Sequence, residues 1–404
     1  MASRDDYLIL GSGAIGLAIG IALLNSKPSL KVRILDKEKK AGLHASGRNS
    51  GVLHAGFYYS PDSLKAKFCK DGNRELRLLA TRHEVMVKNV GKIIVTKNDD
   101  EVIRLEELFQ RGLRNGVELE LHDEKDLNKF EPLARTTSKF LWSPTTAISS
   151  PVEIIKALVQ EFLTLGGEIE FSKKIDLLES DGEVREKTGL YKADYFINAT
   201  GAYSDVISKN LGLAQEYSMI PFMGLYRSVD HKFLPIRTLV YPVPHSINPF
   251  LGVHFTLTID GKVKIGPSAI PIFGREQYSP FSGWNIADFA NIMKGVGALA
   301  KGNAHSLKGM ISTEFPNLFT SHLVKESGNL VPDAQKVKGW EKKPPGIRAQ
   351  LVHLPTGQLE QDFKVLTHLN STHVLNAVSP GWTSALPFAR YIIEQLHSPK
   401  VETK

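Results

Sequence analysis

The sequence has one cysteine, Cys69, in 404 residues. A single cysteine cannot form an intrachain disulfide or a cysteine-based metal cluster, so a disulfide scaffold is excluded and we expect no metal site. Such cysteine usage is typical of a reducing compartment. Glycine and proline, at 33 and 21 residues, are too few for a collagen-like or low-complexity chain. A chain of this length can bury a large core and suggests two or three domains.

The sequence also lacks an obvious targeting or membrane segment. Its first residues include two acids, unlike a signal peptide or an acid-poor presequence, so we expect a cytoplasmic protein, with a mitochondrial one as the alternative. Residues 7–24 carry no charge, and such a length suggests a membrane helix. However, four glycines interrupt this stretch, and three of them belong to a motif with a different explanation.

The charge balance is moderately basic, with a formal net charge of +7 and an isoelectric point near 9.1. Such a balance is compatible with anionic ligands and with peripheral membrane association. The basic residues are scattered, and neither an RNA-binding signature nor a zinc-finger spacing is present. We therefore expect a solvated basic surface and no nucleic-acid partner.

A dinucleotide-binding fingerprint opens the chain. A short apolar run, residues 7–10, leads into Gly11-Ser12-Gly13-Ala14-Ile15-Gly16 and then into an apolar, helix-like stretch. A second strand-like run, residues 31–35, ends at Asp36. Strand, glycine turn, helix, strand and acid together predict a βαβ unit for an ADP-containing cofactor, whereas the glycines alone would also fit an ordinary tight turn.

Each part of the fingerprint has a physical role. Gly11 permits the tight turn, Gly13 lets a pyrophosphate approach the backbone, and Gly16 lets the helix pack closely on the strand. The helix N-terminus offers N–H groups and a positive dipole to the phosphates. Asp36 can accept hydrogen bonds from ribose hydroxyls.

Three further segments favour FAD over NAD. Residues 41–56 form a glycine-rich loop carrying His44, Arg48 and His54, which can lie flat against a ring system. Residues 194–204 and 373–383 each repeat the pattern of a strand followed by a glycine turn. Nucleotide-type segments this far apart predict one discontinuous cofactor domain.

Several sequence blocks resemble one family of flavoproteins. The fingerprint, the Asn-Ala-Thr-Gly turn at 198–201 and the C-terminal glycine-containing strand are similar to the D-amino-acid-oxidase-type FAD-dependent oxidoreductases. Within them, the chain resembles L-2-hydroxyglutarate dehydrogenases/oxidases over residues 44–59, 63–69, 241–244, 250–256, 265–269 and 346–350. The chain departs from that pattern at Ala45, Ser46 and Arg48, and at Gly381-Trp382.

The resemblance implies an α/β fold with a discontinuous Rossmann-like FAD-binding domain and a substrate domain built on a mixed or antiparallel sheet. Residues 1–85, 146–205 and 341–404 would form the FAD-binding domain, and residues 86–145 and 206–340 the substrate domain. The alternating β-runs between 220 and 270 favour an antiparallel substrate sheet. The cofactor contacts expected from the fingerprint and the resemblance are Gly11, Gly13, Ala14, Ile15, Gly16, Asp36, Lys37, His44, Ser46, Arg48, Asn49, Ser50, Gly51, Thr200, Gly201, Gly381, Trp382 and Thr383.

The implied reaction is oxidation of L-2-hydroxyglutarate to 2-oxoglutarate. Hydride leaves the alcohol carbon for the flavin, and the hydroxyl proton needs a base, for which histidine is suited because its pKa lies near neutrality. Of the 13 histidines, His54 in the cofactor loop is the first choice and His254 the second. Cys69 is expected to be a buried small hydrophobic residue.

A dicarboxylate substrate needs cationic or hydrogen-bonding partners. Arg348 resembles the arginine that clamps the α-carboxylate across the superfamily, and a planar guanidinium matches a carboxylate bidentately. Weaker candidates for the distal carboxylate are Arg48, Tyr226, Tyr241 and Arg275.

Other functions remain open from the sequence. A related amine or amino-acid oxidase, a glycerol-3-phosphate-type dehydrogenase and a non-catalytic flavin-binding assembly factor would share the fold. The electron acceptor could be a quinone, oxygen or an electron-transfer protein.

Overall fold

The computed structural model describes residues 4–178, 183–186, 189–245, 250–279 and 282–397. The α-helices in these ranges are α1 Ala14–Ser26, α2 Leu64–Arg82, α3 Asp99–Arg114, α4 Leu127–Phe130, α5 Pro151–Thr164, α6 Ser204–Asn210, α7 Ile286–Gly302, α8 Ala304–Glu314, α9 Thr320–Ser327 and α10 Ala385–His397. The strands are β1 Asp5–Leu10, β2 Val32–Leu35, β3 Val52–Leu53, β4 Val87–Lys88, β5 Lys92–Val95, β6 Glu120–Asp123, β7 Lys139–Ser143, β8 Ala147–Ser149, β9 Glu168–Glu170, β10 Ile175–Leu178, β11 Glu183–Glu186, β12 Gly189–Asn198, β13 Tyr217–Gly224, β14 Arg227–Asp230, β15 Leu239–Pro242, β16 His254–Leu257, β17 Lys262–Gly266, β18 Ile270–Pro271, β19 Glu341–Lys342, β20 Gly346–His353, β21 Gln358–Leu359, β22 Lys364–His368 and β23 Ser371–Asn376.

The first sheet has a parallel centre made from distant parts of the chain. Strand β1 lies between β2 and β12, β9 continues beyond β2, and β23 pairs with β12, all in parallel. Four apolar residues of β1 and β2 are fully buried, namely Leu8, Ile9, Leu10 and Ile34. Such a continuous apolar run is typical of parallel strands that are covered on both faces of the sheet. The carboxyl ends of β1, β2 and β12 therefore meet at one edge.

Helix α1 is apolar on nearly every side because helices cover it on the face away from the sheet. It packs against α5 and α10, and a Cβ on Gly20 would lie 2.5 Å from the Phe162 ring of α5. The uncharged stretch at 7–24 is thus a strand, a glycine turn and a packed helix. Within the described ranges, no helix is long and apolar enough to cross a bilayer.

Two further sheets, of eight and four strands, and one short sheet complete the fold. One has the order β19-β14-β17-β16-β15-β5-β7-β6 and is antiparallel except where β15 runs parallel to β5. The other, β18-β13-β20-β21, is antiparallel throughout. The short sheet has the order β3-β8-β4, and its strand β3 is part of the cofactor loop. The expected α/β class with mixed and antiparallel second sheets is confirmed.

Apart from β4, which pairs with β8 in the short sheet, the strands of residues 86–145 and 206–340 lie in these two further sheets. Strand β20, which the predicted boundaries place in the cofactor domain, pairs with β13 over its whole length instead. Its residues Arg348 and Gln350 are therefore presented by the antiparallel sheet and not by the parallel one. The division of the chain into two domains stays a prediction.

The packing of α5 on α1 gives a stability prediction. Phe162→Ala should destabilise the protein by about 3–5 kcal/mol, because a fully buried ring that fills the space above Gly20 is lost. Urea unfolding followed by circular dichroism would measure this. Leu163→Ala, one position along the same helix and 45% exposed, is the control and should change stability by less than about 1 kcal/mol. Equal effects would contradict the packing described.

Candidate functional site

One cavity of about 890 Å³ begins at the carboxyl edge of the parallel sheet and ends against the antiparallel sheets. The glycine turn after β1, Asp36 and the 200–203 turn line one end. His54, His254 and Arg348 line the other. Crevices at the carboxyl ends of parallel strands are the usual ligand sites of such folds.

The glycine turn can exist only without side chains. Gly11 has φ +103°, and a Cβ there would lie 2.6 Å from the carbonyl oxygen of Ala199. A Cβ on Gly16 would lie 2.0 Å from the carbonyl oxygen of Gly11. Helix α1 starts after Gly13, which has no side chain to cap it, and its first residues line the cavity. Its positive end therefore borders the cavity, which suits a pyrophosphate.

Asp36 helps to fix the shape of this turn. Its Oδ2 accepts a hydrogen bond of 2.7 Å from the backbone N–H of Ser12, and its Oδ1 accepts one of 2.9 Å from that of Glu38. The carboxylate also borders the cavity. Its lone pairs on that side remain suited to ribose hydroxyls.

The cofactor loop is held by its own polar groups. Ser46 Oγ accepts a hydrogen bond of 3.0 Å from the N–H of Ala14 at the start of α1, and Asn49 Oδ1 accepts one of 2.8 Å from Gly51. The guanidinium of Arg48 donates to the Leu43 carbonyl at 2.8 Å. The loop is therefore fastened to the helix that would bind the phosphates.

Most of the expected cofactor contacts border the cavity. These are Gly11, Gly13, Ala14, Ile15, Asp36, Lys37, His44, Ser46, Arg48, Asn49, Ser50, Thr200, Gly201, Gly381, Trp382 and Thr383. The exceptions are Gly16, which packs on Gly11, and Gly51, where a Cβ would lie 2.3 Å from the Ser149 carbonyl oxygen. Both glycines permit close packing within the turns and do not themselves line the cavity. Their assignment as cofactor contacts stays a prediction.

His44 belongs to a cluster of polar side chains, with Lys37, Glu38, Glu276 and Tyr278, that the sequence did not predict. Its Nδ1 lies 2.9 Å from Tyr278 Oη and its Nε2 lies 3.0 Å from Glu38 Oε1. The Lys37 ammonium contacts the carboxylates of both Glu38 and Glu276. These bonds tie the cofactor loop to residues 276–278, which are remote in sequence.

His254 is held in one tautomer at the inner end of the cavity. Its Nδ1 lies 2.8 Å from the carbonyl oxygen of Gly252. A carbonyl can only accept, so Nδ1 carries the proton and Nε2 is the acceptor of the neutral ring. The ring stacks on Tyr241 at a centroid distance of 3.8 Å. Burial, with a smaller effect of the Lys92 charge, lowers the pKa of His254 to about 3.

His54 is also neutral and leaves a polar atom unused. Its Nδ1 is buried and has no hydrogen-bond partner among the described residues, and the same holds for Trp382 Nε1. Burial, then the charge of Lys92, holds the pKa of His54 well below its usual value. Unsatisfied polar atoms beside a cavity are expected where a polar ligand completes the bonding. The residues present thus fit a large polar cofactor.

Arg348 is a partly buried cation on the wall of the cavity, and it has no acidic partner in the part of the chain that is described. Its Nε and Nη2 donate to the amide oxygen of Gln350 at 3.2 and 3.1 Å. Its guanidinium lies 5.1 Å from the centroid of the Phe250 ring. Burial lowers its pKa to about 10, so it remains charged at neutral pH. An uncompensated charge facing a cavity favours an anion there.

Arg275, another predicted substrate contact, is already paired with acidic side chains. It is fully buried, and its guanidinium forms ion pairs with Asp205 at 2.6 Å and with Asp288 at 2.7 Å. These two carboxylates neutralise its charge and so disfavour a substrate carboxylate there, although Arg275 lines the cavity; its assignment as a substrate contact stays a prediction. The two ion pairs join α6 to the start of α7.

The remaining predicted substrate residues lie at the inner end of the cavity. Tyr226 and Tyr241 both line it. Burial raises the pKa of Tyr226 to about 12 and that of Tyr241 further, so both hydroxyls stay protonated and can donate. Cys69 is fully buried, and burial raises the pKa of its thiol to about 12, in agreement with a buried apolar role.

The chain belongs to the DAO family of FAD-dependent oxidoreductases, whose family model matches residues 6–395. The expected family, the enzyme class and the FAD cofactor are thereby confirmed.

Curated relatives cover nearly the whole chain. L-2-hydroxyglutarate dehydrogenase of Escherichia coli (strain K12) is 32% identical over 401 residues, covering 97% of this chain and 93% of the relative. The mitochondrial L-2-hydroxyglutarate dehydrogenase of Homo sapiens is 32% identical over 416 residues, covering 98% of this chain and 89% of the relative.

Solved structures share the fold at lower sequence identity. The FAD-bound L-alpha-glycerophosphate oxidase of Mycoplasma pneumoniae has a TM-score of 0.77 at 21% identity, covering 98% of this chain and 96% of that one. Glycine oxidase of Geobacillus kaustophilus has a TM-score of 0.72 at 17% identity, with coverages of 99% and 96%.

The glycine turn gives a prediction about cofactor retention. Gly11→Ala should weaken FAD binding by roughly tenfold or more, since a side chain at positive φ is strained and would collide with the Ala199 carbonyl. The bound FAD per protein after gel filtration measures this. Gly297→Ala in α7, where a Cβ meets nothing within 4 Å, is the control and should keep its FAD. Full retention by Gly11→Ala would contradict the assigned turn.

Proposed function

We propose that this chain oxidises L-2-hydroxyglutarate to 2-oxoglutarate. The observation that carries the proposal is the inner end of the cavity, where Arg348 lacks an acidic partner among the described residues and faces the same space as His54 and His254. Bound FAD supplies the two-electron acceptor for the hydride. The relatives that cover most of this chain are named for that activity.

Arg348 would hold the carboxylate next to the alcohol carbon. Its fork of N–H donors matches two carboxylate oxygens, and its partial burial strengthens the attraction. The hydrogen bonds to Gln350 fix the plane of the guanidinium. A carboxylate bound there has its neighbouring carbon fixed in position.

A buried neutral imidazole would accept the hydroxyl proton. A histidine can act as a base only while it is unprotonated, and the lowered pKa values of His54 and His254 keep both in that form at neutral pH. His254 also has the required tautomer, because its Nδ1 proton is given to Gly252. Comparing His54→Gln with His254→Gln in anaerobic flavin reduction identifies the acceptor as the variant with the larger loss of rate.

The distal carboxylate would meet hydroxyl donors. Tyr226 and Tyr241 line the cavity with protonated hydroxyls. Arg48, whose guanidinium lies 4.1 Å from the centroid of the Tyr278 ring, is a further cation on the same cavity. A longer substrate with two carboxylates suits this arrangement better than a small amine does.

A substrate panel separates this function from the alternatives that share the fold. Anaerobic addition of L-2-hydroxyglutarate should bleach the flavin absorbance, while D-2-hydroxyglutarate, glycine, sarcosine and glycerol 3-phosphate should leave it unchanged. Bleaching by an amine or by glycerol 3-phosphate, but not by the hydroxy acid, would overturn the proposal.

The carboxylate clamp gives a kinetic prediction. Arg348→Lys should raise the KM for L-2-hydroxyglutarate by roughly 10- to 100-fold, since one bidentate, charge-assisted interaction is lost. Steady-state kinetics with an artificial electron acceptor measures this. Arg227→Lys is the control, because Arg227 is a buried arginine that donates to Thr320 at 2.7 Å, and its KM should stay within about twofold. An unchanged KM in Arg348→Lys would contradict the clamp.

We further propose that the protein associates peripherally with anionic membranes through the start of α7. Ile286, Phe289 and Met293 recur on one helix face and are 75%, 37% and 39% exposed. Trp284, 54% exposed, has its ring 6.0 Å from that of Phe289. The opposite face of α7 is also apolar, with Ile292 and Leu299 buried. A helix that is apolar on both faces needs a partner on its outer side.

The charges beside this surface favour anionic lipid as the partner. Lys294, Lys301 and Lys308 are exposed on α7 and α8, whereas Asp288 is buried and paired with Arg275. Basic residues next to apolar and aromatic side chains are typical of interfacial helices. Asn285 and Asp288 also line the cavity, so a membrane quinone would approach near the cofactor. The cytoplasmic location, or the mitochondrial alternative, stays a prediction.

A vesicle experiment tests the membrane surface. Wild-type protein should sediment with vesicles of anionic phospholipid and less with neutral ones, and Ile286→Glu should reduce sedimentation at least fivefold, because it places a charge in the apolar surface. Ile103→Glu, at an exposed isoleucine of α3 (61%), is the control and should bind as wild type does. Equal loss in both variants, or no binding by the wild type, would contradict the proposal.

A further inference from the structure

Lys92 is a buried cation that does not line the cavity. It is the first residue of β5 and has no exposed surface. Its Nζ has no hydrogen-bond partner, and it forms no ion pair within the described residues. A buried ammonium without an acidic partner is costly, so its presence calls for a reason other than stability.

Aromatic rings surround this ammonium. The Nζ lies 4.3 Å from the ring centroid of Tyr241, 5.2 Å from that of Tyr58 and 5.5 Å from that of Phe57. Cation–π contacts of this kind partly compensate the loss of water. Burial lowers the pKa of Lys92 to about 7, so its charge is retained only in part at neutral pH.

The rings connect Lys92 to the two candidate bases. Tyr241 lies on the neighbouring strand β15. Its ring contacts the ammonium of Lys92 and also stacks on the ring of His254. The charge of Lys92 acts on both His54 and His254, and each of those pKa values is lowered by it. The other titratable groups around Lys92 are Tyr58, Tyr241 and Cys69. Burial raises the pKa of each of these three, so they are neutral.

We propose that Lys92 is a positioning residue that holds the Tyr241–His254 stack in place and whose charge adds to the effect of burial in keeping His54 and His254 neutral. The inference rests on the proposed function only in that one of these histidines accepts the substrate proton. A nearby positive charge disfavours an imidazolium, so the base stays in its accepting form at pH values where an exposed histidine would be protonated. The proton of the substrate hydroxyl then passes to an unprotonated nitrogen.

Histidine titration in the FAD-loaded enzyme tests this without substrate. With ¹³C-labelled histidine, and signals assigned from His54→Gln and His254→Gln, His254 should stay in the neutral form down to about pH 5, and His54 should titrate below the usual range of a histidine. They should also show a small step near pH 7, where Lys92 loses its proton. Absence of that step in the wild-type protein overturns the proposal.

Removal of the charge gives the second readout. In Lys92→Met, which keeps the length of the side chain, both histidine signals should titrate at a higher pH than in the wild-type protein, because the burial that remains no longer acts together with a positive charge. The acidic limb of the anaerobic flavin-reduction rate should move by the same amount. A purely structural role would lower the melting temperature without moving either profile. Histidine titration identical to wild type in a folded Lys92→Met protein overturns the proposal.

The matched control is another buried lysine near the site. Lys65 is 4% exposed, and burial lowers its pKa to about 7. The charges that act on it are those of Arg348, Asp362 and Glu360, not of histidines. Lys65→Met should therefore leave both histidine titrations unchanged. If the histidine signals respond as expected while the hydroxy acid fails to reduce the flavin, only the proposed substrate is wrong.

Discussion

The parallel pairing of β1 with β2 and β12 is the constraint on which the site depends. It brings the ends of three distant segments to one edge, where the turn at Gly11 touches the carbonyl of Ala199. That contact leaves no space for a side chain and places the N-terminus of α1 beside the cavity. Strand β23 then pairs with β12 and places the turn at Trp382 beside the same cavity. The cofactor end is thus assembled by strand pairing and not by any local segment.

The inner end of the cavity is governed by electrostatics. Lys92 is buried and Arg348 is partly buried, and among the described residues neither has an acidic partner. Their effects are complementary, because Arg348 faces the cavity and attracts an anion, whereas Lys92 lies behind Tyr241 and acts on the histidines. In water these charges would be screened, but in a closed site they act over several ångströms. An anionic alcohol is the substrate class that satisfies both.

The sequence was informative wherever function depends on a local pattern. The fingerprint around Gly11, the acid Asp36 and the cofactor loop could be predicted because spacing along the chain determines their geometry. Contacts across the fold could not be predicted in this way. The hydrogen bond between His44 and Tyr278 joins segments that are far apart in sequence. The position of β20 in the antiparallel sheet depends on its pairing with β13, which no short-range pattern encodes.

The two arginines expected to bind substrate illustrate the same limit. Residue type alone assigns Arg275 and Arg348 the same chemistry. In the fold, Asp205 and Asp288 neutralise Arg275, while the amide of Gln350 orients Arg348 and leaves its charge uncompensated. A guanidinium whose charge is neutralised by two carboxylates attracts a third only weakly, whereas one held by a neutral amide keeps its attraction for an anion. The identity of the neighbouring acceptor therefore decides how strongly each arginine attracts an anion.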